Sequence, residues 1–109
     1  MVNEINELMK EAREFSQKRN WTQFHNPKDL AIALVLEAGE VLEHFRFREN
    51  FDKTEVSKEI SDVLNCLLRI SDVLEIDLIS CFMEKMKENS EKYPIDKFYG
   101  SNLKYSEVI

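Results

Sequence analysis

A chain of 109 residues has room for one domain with a single modest core, and association with another copy would bury surface that it cannot bury alone. Apolar residues make up 43% and charged residues 33%, the mixture of a soluble globular protein, and two Gly and two Pro suit long helices better than a sheet with many turns. The formal net charge of −6 argues against a surface built to coat a nucleic acid polymer, and no apolar run approaches the ~18 residues of a membrane span.

Cys66 and Cys81 stand apart, without CxxC spacing, and the start of the chain has no secretory pattern. Both read as reduced core thiols of a cytoplasmic protein.

In chain order, Ile5, Leu8, Met9, Ala12 and Phe15 recur at three- and four-residue spacing and predict an amphipathic helix over 3–19. A polar stretch follows that carries Trp21, Phe24 and His25. Asn26 as N-cap, Pro27 at the first helical position and Asp29 in the first turn then predict a second helix, to about Phe47. At ~100° per residue its apolar stripe is Leu30, Leu34, Ala38, Val41 and Phe45. Glu37 and Glu40 fall on one flank of that stripe with His44 near them, whereas Glu43 falls almost opposite and is expected in solvent. Gly39 costs ~1 kcal/mol in a helix interior, so its place beside Glu40 suggests close approach by another backbone or a ligand.

RENFDK at 48–53 is a charged connector, and Thr54 is the expected cap of a third helix over about 54–75. Its main stripe is Val56, Ile60, Val63, Leu64, Leu67 and Leu74, and Cys66, Ile70 and Val73 form a second apolar flank, so more than one neighbour is expected to cover it. Glu59 and Asp62 lie on that second flank. The polar strip is Lys58, Ser61, Asn65, Arg69 and Asp72. Asp77 is the expected cap of a fourth helix with Leu78, Ile79, Phe82, Met83 and Met86 as its core face. Lys85, Asn89 and Lys92 share another face of it, before Tyr93 and Pro94 end the helix. Residues 95–109 lack periodicity and read as a tail of a single domain, 1–109.

Residues three apart on a helix share a face, so Glu37 with Glu40 and Glu59 with Asp62 can gather four carboxylates between two packed helices. Ionised carboxylates at a core margin need a cation, and this oxygen-rich set favours Mg2+ or Mn2+ over zinc. Such a site suits water attack at phosphorus, with a spare carboxylate to orient the water and the Lys85, Asn89 and Lys92 face to hold a polyphosphate. An ion pair of Glu59 or Asp62 with Arg69 or Lys58 is the competing structural reading.

Four segments carry a resemblance: RNWTQFHNPKDL at 19–30, EAGEVLEHF at 37–45, EISDV at 59–63, and Lys85, Asn89, Lys92, Tyr93 and Pro94. Together they resemble the all-alpha nucleoside triphosphate pyrophosphohydrolases of the MazG-like, dCTP pyrophosphatase branch, over Phe15 to Gly100. The resemblance implies an all-α four-helix bundle completed by dimerisation, as a homodimer or homotetramer. It also implies Mg2+-dependent hydrolysis of a (deoxy)nucleoside triphosphate, dCTP or a related pyrimidine nucleotide, to the monophosphate and pyrophosphate, as housecleaning or pool control. On this reading Glu37, Glu40, Glu59 and Asp62 are the metal ligands and the catalytic carboxylates. Lys85, Asn89, Lys92 and Tyr93 match the phosphate-side motif, and Trp21, Phe24 and His25 match the base and sugar segment. The chain departs from the dCTP-type pattern at Phe47, where Trp is typical, and at Cys66, where Tyr is frequent; both positions border the base, so the substrate stays open. The alternative is a non-catalytic helical oligomer that binds nucleotide or a protein partner.

Overall fold

In the computed structural model, which describes residues 4–46 and 49–103, the backbone forms α1 (Glu4–Lys18), a 3-10 turn (Thr22–Phe24), α2 (Pro27–Glu43), α3 (Lys53–Val73), α4 (Leu78–Lys92) and the short α5 (Ile95–Phe98). The chain divides into two compact units, Met1–Ile76 and Asp77–Ile109.

The helix ends follow local chemistry. Asn26 caps α2 by accepting from the Asp29 N–H at 2.9 Å while its side-chain amide donates to Asp29 Oδ2 at 2.7 Å, so the two residues are joined twice. Helix α3 begins one residue earlier than expected, because its N-cap is Asp52 and not Thr54: the Asp52 carboxylate accepts from the Thr54 N–H at 2.9 Å and the Glu55 N–H at 3.4 Å. Asp77 caps α4 as expected, accepting from the Ser80 N–H at 3.3 Å. Two helix C-termini turn through left-handed residues, Asn20 at φ 54° and Glu75 at φ 55°. Each is followed by a wide backbone bond, Trp21 N–H to Ser16 C=O at 2.9 Å and Ile76 N–H to Ser71 C=O at 2.9 Å, which satisfies an orphan carbonyl.

In the first unit α3 packs against both α1 and α2. Its core holds Met9 of α1, Leu30 of α2, and Val56, Cys66 and Leu68 of α3. Phe45 and Phe51 meet edge to face at 4.8 Å and so brace the α2–α3 connection. The apolar stripes expected as core are only partly so: Ile60, Leu64 and Leu67 of α3 and Leu74 at its C-cap are exposed, as are Val35 (71%) and Leu36 (65%) of α2. Helices α1 and α2 cover two sides of α3, and a stripe that runs around more of its circumference is left uncovered within this unit.

In the second unit, Ile79, Phe82, Met83 and Met86 of α4 are likewise exposed where a core face was expected. Tyr93 and Phe98 pack edge to face at 4.9 Å and fold α5 back on the end of α4, so residues 95–98 are helical where the sequence read as tail.

Candidate functional site

Helix α2 presents Glu37 and Glu40 on one face, and Glu59 comes to them from α3. One carboxylate oxygen from each of the three lies within 4.8 Å of the others. Glu37 and Glu59 are half-buried and Glu40 is exposed, so the cluster opens on one side. Glu37 Oε2 and Glu59 Oε2 are shielded from solvent and have no hydrogen-bond partner among the described residues. A buried carboxylate oxygen without a donor is costly, and two of them facing a third carboxylate are costlier still.

The electrostatics register this crowding. Burial pushes the Glu37 carboxyl above its ordinary 4.5, helped by a hydrogen bond with Glu40 and by repulsion from Glu40, Asp62 and Glu59. Glu59 is raised first by its hydrogen bond with Glu40, then by burial and by the charge of Glu40, and a hydrogen bond from His44 pulls it the other way. His44 Nε2 stands 3.7 Å from Glu59 Oε1. Burial and mutual repulsion thus both disfavour the fully ionised cluster, and a cation would offset them. Oxygen-only donors, convergent and short of partners, fit a hard divalent cation.

Asp62 lies outside this group of three. It lines a groove of about 440 Å³ between α1 and α3 with Phe15, Leu64, Asn65 and Leu68, and its charge is felt by Glu37, Glu59 and Cys66. Lys58 and Arg69 do not serve as counter-ions to the cluster: Lys58 Nζ pairs with Glu55 at 3.2 Å and Arg69 with Asp72 at 2.9 Å. Glu43 is in solvent beside Arg46. Beyond the neighbouring turns of α2, none of the described residues lies within 4 Å of a Cβ built on Gly39, so the close approach expected there is not made among them.

The aromatic segment follows α1. Trp21 meets Phe15 edge to face at 5.8 Å, and the Arg19 guanidinium lies 3.6 Å above the Phe15 ring. Trp21 and Phe24 are exposed, whereas His25 is half-buried against Arg69. In the second unit, Glu88 lies between Lys85 and Lys92 of α4, at 3.4 Å from Lys85 Nζ and 3.7 Å from Lys92 Nζ. Asn89 is half-buried, and its carbonyl accepts from the Tyr93 N–H at 2.9 Å. Phe47 lies outside the described residues.

Sequence reasoning missed the pairing of Arg69 with Asp72, which it placed on a polar strip although Arg69 is 3% exposed. A signal was present: Arg13, Arg69 and Asp72 supply two cations and one anion on helices whose remaining charge is net acidic.

Among the described residues no helix is long and apolar enough to cross a membrane. No family model matches the chain. Curated relatives do: dCTP pyrophosphatase 1 of Mus musculus and of Homo sapiens are each 32% identical over 105 residues, which cover 87% of this chain. The chain spans 62% of the length of those mammalian relatives. The crystal structure of a pyrophosphatase from Archaeoglobus fulgidus DSM 4304 superposes with a TM-score of 0.79 and 38% identity, covering 86% of this chain and 95% of the archaeal one. With this identity over nearly the whole of the archaeal chain, a shared all-α fold, and three carboxylates gathered from the two helices that carry its acidic motifs, the chain belongs to the MazG-like, dCTP pyrophosphatase family.

Proposed function

We propose that this protein is a nucleoside triphosphate pyrophosphohydrolase that converts a (deoxy)nucleoside triphosphate, dCTP or a related pyrimidine nucleotide, to the monophosphate and pyrophosphate with Mg2+ as cofactor. The observation that carries the reading is the cluster of Glu37, Glu40 and Glu59 with its two partnerless buried oxygens, in a chain similar to proteins named dCTP pyrophosphatase.

Glu37, Glu40 and Glu59 would hold the cation, and Asp62, beside them on α3, completes the proposed ligand set. A divalent ion there would offset phosphate charge and make a nearby water more acidic. The remaining work belongs to side chains of this chain. Deprotonated carboxylate oxygens beside the site can orient the attacking water toward the α-phosphorus and accept its proton. Lys85, Asn89, Lys92 and Tyr93 are assigned to the phosphate tail, for which Lys85 and Lys92 exchange Glu88 for phosphate oxygens. Trp21, Phe24, His25 and Phe47 are assigned to base and sugar. Exposed Trp21 and Phe24 offer flat apolar faces of the kind that stack on a base.

The exposed apolar residues of α2, α3 and α4 support a homodimer or homotetramer, and free Cys66 and Cys81, the second exposed where a core thiol was expected, suit a cytoplasmic protein. We treat residues 1–109 as one functional domain. Pyrophosphate release from a panel of dNTPs with and without Mg2+ tests the reading. Turnover that needs the metal and falls away in Glu40→Gln is expected, and failure to hydrolyse any nucleotide overturns it.

A further inference from the structure

The metal-site reading leaves one buried charge unused. Arg69 of α3 is 3% exposed, and its guanidinium is divided between two partners. Its Nη1 donates to Asp72 Oδ2 at 2.9 Å, and its Nε donates to His25 Nδ1 at 3.3 Å. Asp72 in turn accepts from Arg13 of α1, at 2.6 Å from Nη2 and at 3.0 and 3.1 Å from Nε, so the orientation of Arg69 is braced from α1 through Asp72.

The chemistry of this pair leaves one arrangement of protons. A guanidinium has donors, no acceptor, and stays charged at any working pH. The ring nitrogen that faces it must therefore offer a lone pair. A neutral imidazole has one acceptor and one donor nitrogen, so with Nδ1 accepting from Arg69 the proton sits on Nε2. A doubly protonated ring would set N–H against N–H and cation against cation. Burial and the Arg69 charge both hold the His25 pKa below its ordinary 6.5. Arg69 and Asp72 from α3 and Arg13 from α1 are the charged groups of this network.

We propose that Arg69 is a positioning residue which locks His25 as the neutral Nε2–H tautomer, so that the aromatic segment presents a hydrogen-bond donor and selects an acceptor group on its ligand. Use of that donor by a nucleotide rests on the assignment of Trp21, Phe24 and His25 proposed above, whereas the tautomer rests on the Arg69 geometry alone. Specificity would follow, because a site with a fixed donor rejects a ligand that offers only another donor.

The test is the 1H–15N imidazole spectrum of the full chain without metal. His25 and His44 are its two histidines, and His25→Gln identifies which signals belong to His25. The expected result near neutral pH is an unprotonated Nδ1 and a protonated Nε2 on His25, with a titration midpoint below 6.5. In Arg69→Met the tautomers should mix and the midpoint should move up. A protonated Nδ1 or averaged tautomers in the unaltered protein would overturn the proposal, as would a folded Arg69→Met with an unchanged His25. If Arg69→Met does not fold, the unaltered protein's spectrum decides alone. Addition of deoxycytidine monophosphate should then shift the His25 Nε2–H signal. A silent signal with the tautomer intact would refute the nucleotide assignment of the segment and leave the role of Arg69 standing.

Discussion

Asp72 of α3 takes a two-nitrogen grip from Arg13 of α1, Nη2 to Oδ1 at 2.6 Å and Nε to Oδ2 at 3.0 Å, and shares its second oxygen with the buried Arg69 at 2.9 Å. The anion sits between two cations on two helices, and removing it would strand the more buried one. Asp72→Ala should therefore destabilise the fold by about 3 kcal/mol in chemical denaturation, and Arg13→Ala, at the solvent edge, by about 1 kcal/mol or less. The hydrogen bonds from Arg13, with help from Arg69, hold the Asp72 carboxyl below its ordinary 3.8. A depressed carboxyl contributes stability above its unfolded pKa and loses it as pH falls through the folded one. The unaltered protein should thus lose stability on acidification below about pH 4, and Asp72→Asn should lack that part of the loss.

The carboxylate cluster has the opposite sign. Glu37 and Glu59 are raised above 4.5, so without metal their contribution is favourable below that pH and is lost as pH rises through the raised values. Mg2+ should relieve the repulsion only where the carboxyls are ionised. Its effect on the melting temperature should therefore grow from about pH 4.5 toward neutrality, and ~100 Kd of Mg2+ should add about 2.7 kcal/mol. Glu37→Gln and Glu59→Gln should be more stable than the parent without Mg2+ and should bind it at least about tenfold more weakly by calorimetry, ~1.4 kcal/mol.

Gly39→Ala is expected to raise stability. The position is inside α2, a Cβ there meets none of the described residues within 4 Å beyond the neighbouring turns of the helix, and alanine is favoured over glycine in a helix interior by about 1 kcal/mol. Thermal melts at equal protein concentration check it. A loss of activity with that gain in stability would mean that a ligand or a second copy approaches the backbone there.

Val35 and Leu36 are exposed on α2 with Ile32 beside them, a grouping of apolar side chains of the kind that association covers. Sedimentation should give a dimer or tetramer for the parent. Val35→Asp with Leu36→Asp should shift it toward monomer at micromolar concentration, because two carboxylates in an apolar interface oppose association by several kcal/mol.

Much of the site was legible in the sequence because its rules are local. Asn26 and Asp77 cap their helices as read, since a cap depends on neighbours within one turn. Glu37 and Glu40 were paired from their spacing alone, and Glu43 was set apart by the same wheel. Thr54 was misread as a cap because Asp52, two residues earlier, is the stronger acceptor and reaches both the Thr54 and Glu55 N–H groups.

What only the tertiary structure decided is how residues on different helices meet. Periodicity ranks the faces of α3 but cannot say which neighbour covers which, so Arg69 and Asp72 read as a polar strip until α1 brought Arg13 to them. The same holds for the carboxylates: three-residue spacing pairs Glu59 with Asp62, yet the packing of α2 on α3 brings Glu59 to Glu37 and Glu40 and leaves Asp62 lining the groove beside α1. Sequence by itself determined the four long helices, the caps of α2 and α4 and the acidic chemistry, all of which are properties of short stretches of chain. The tertiary structure chose the partners, because distances between helices depend on packing that no single helix encodes.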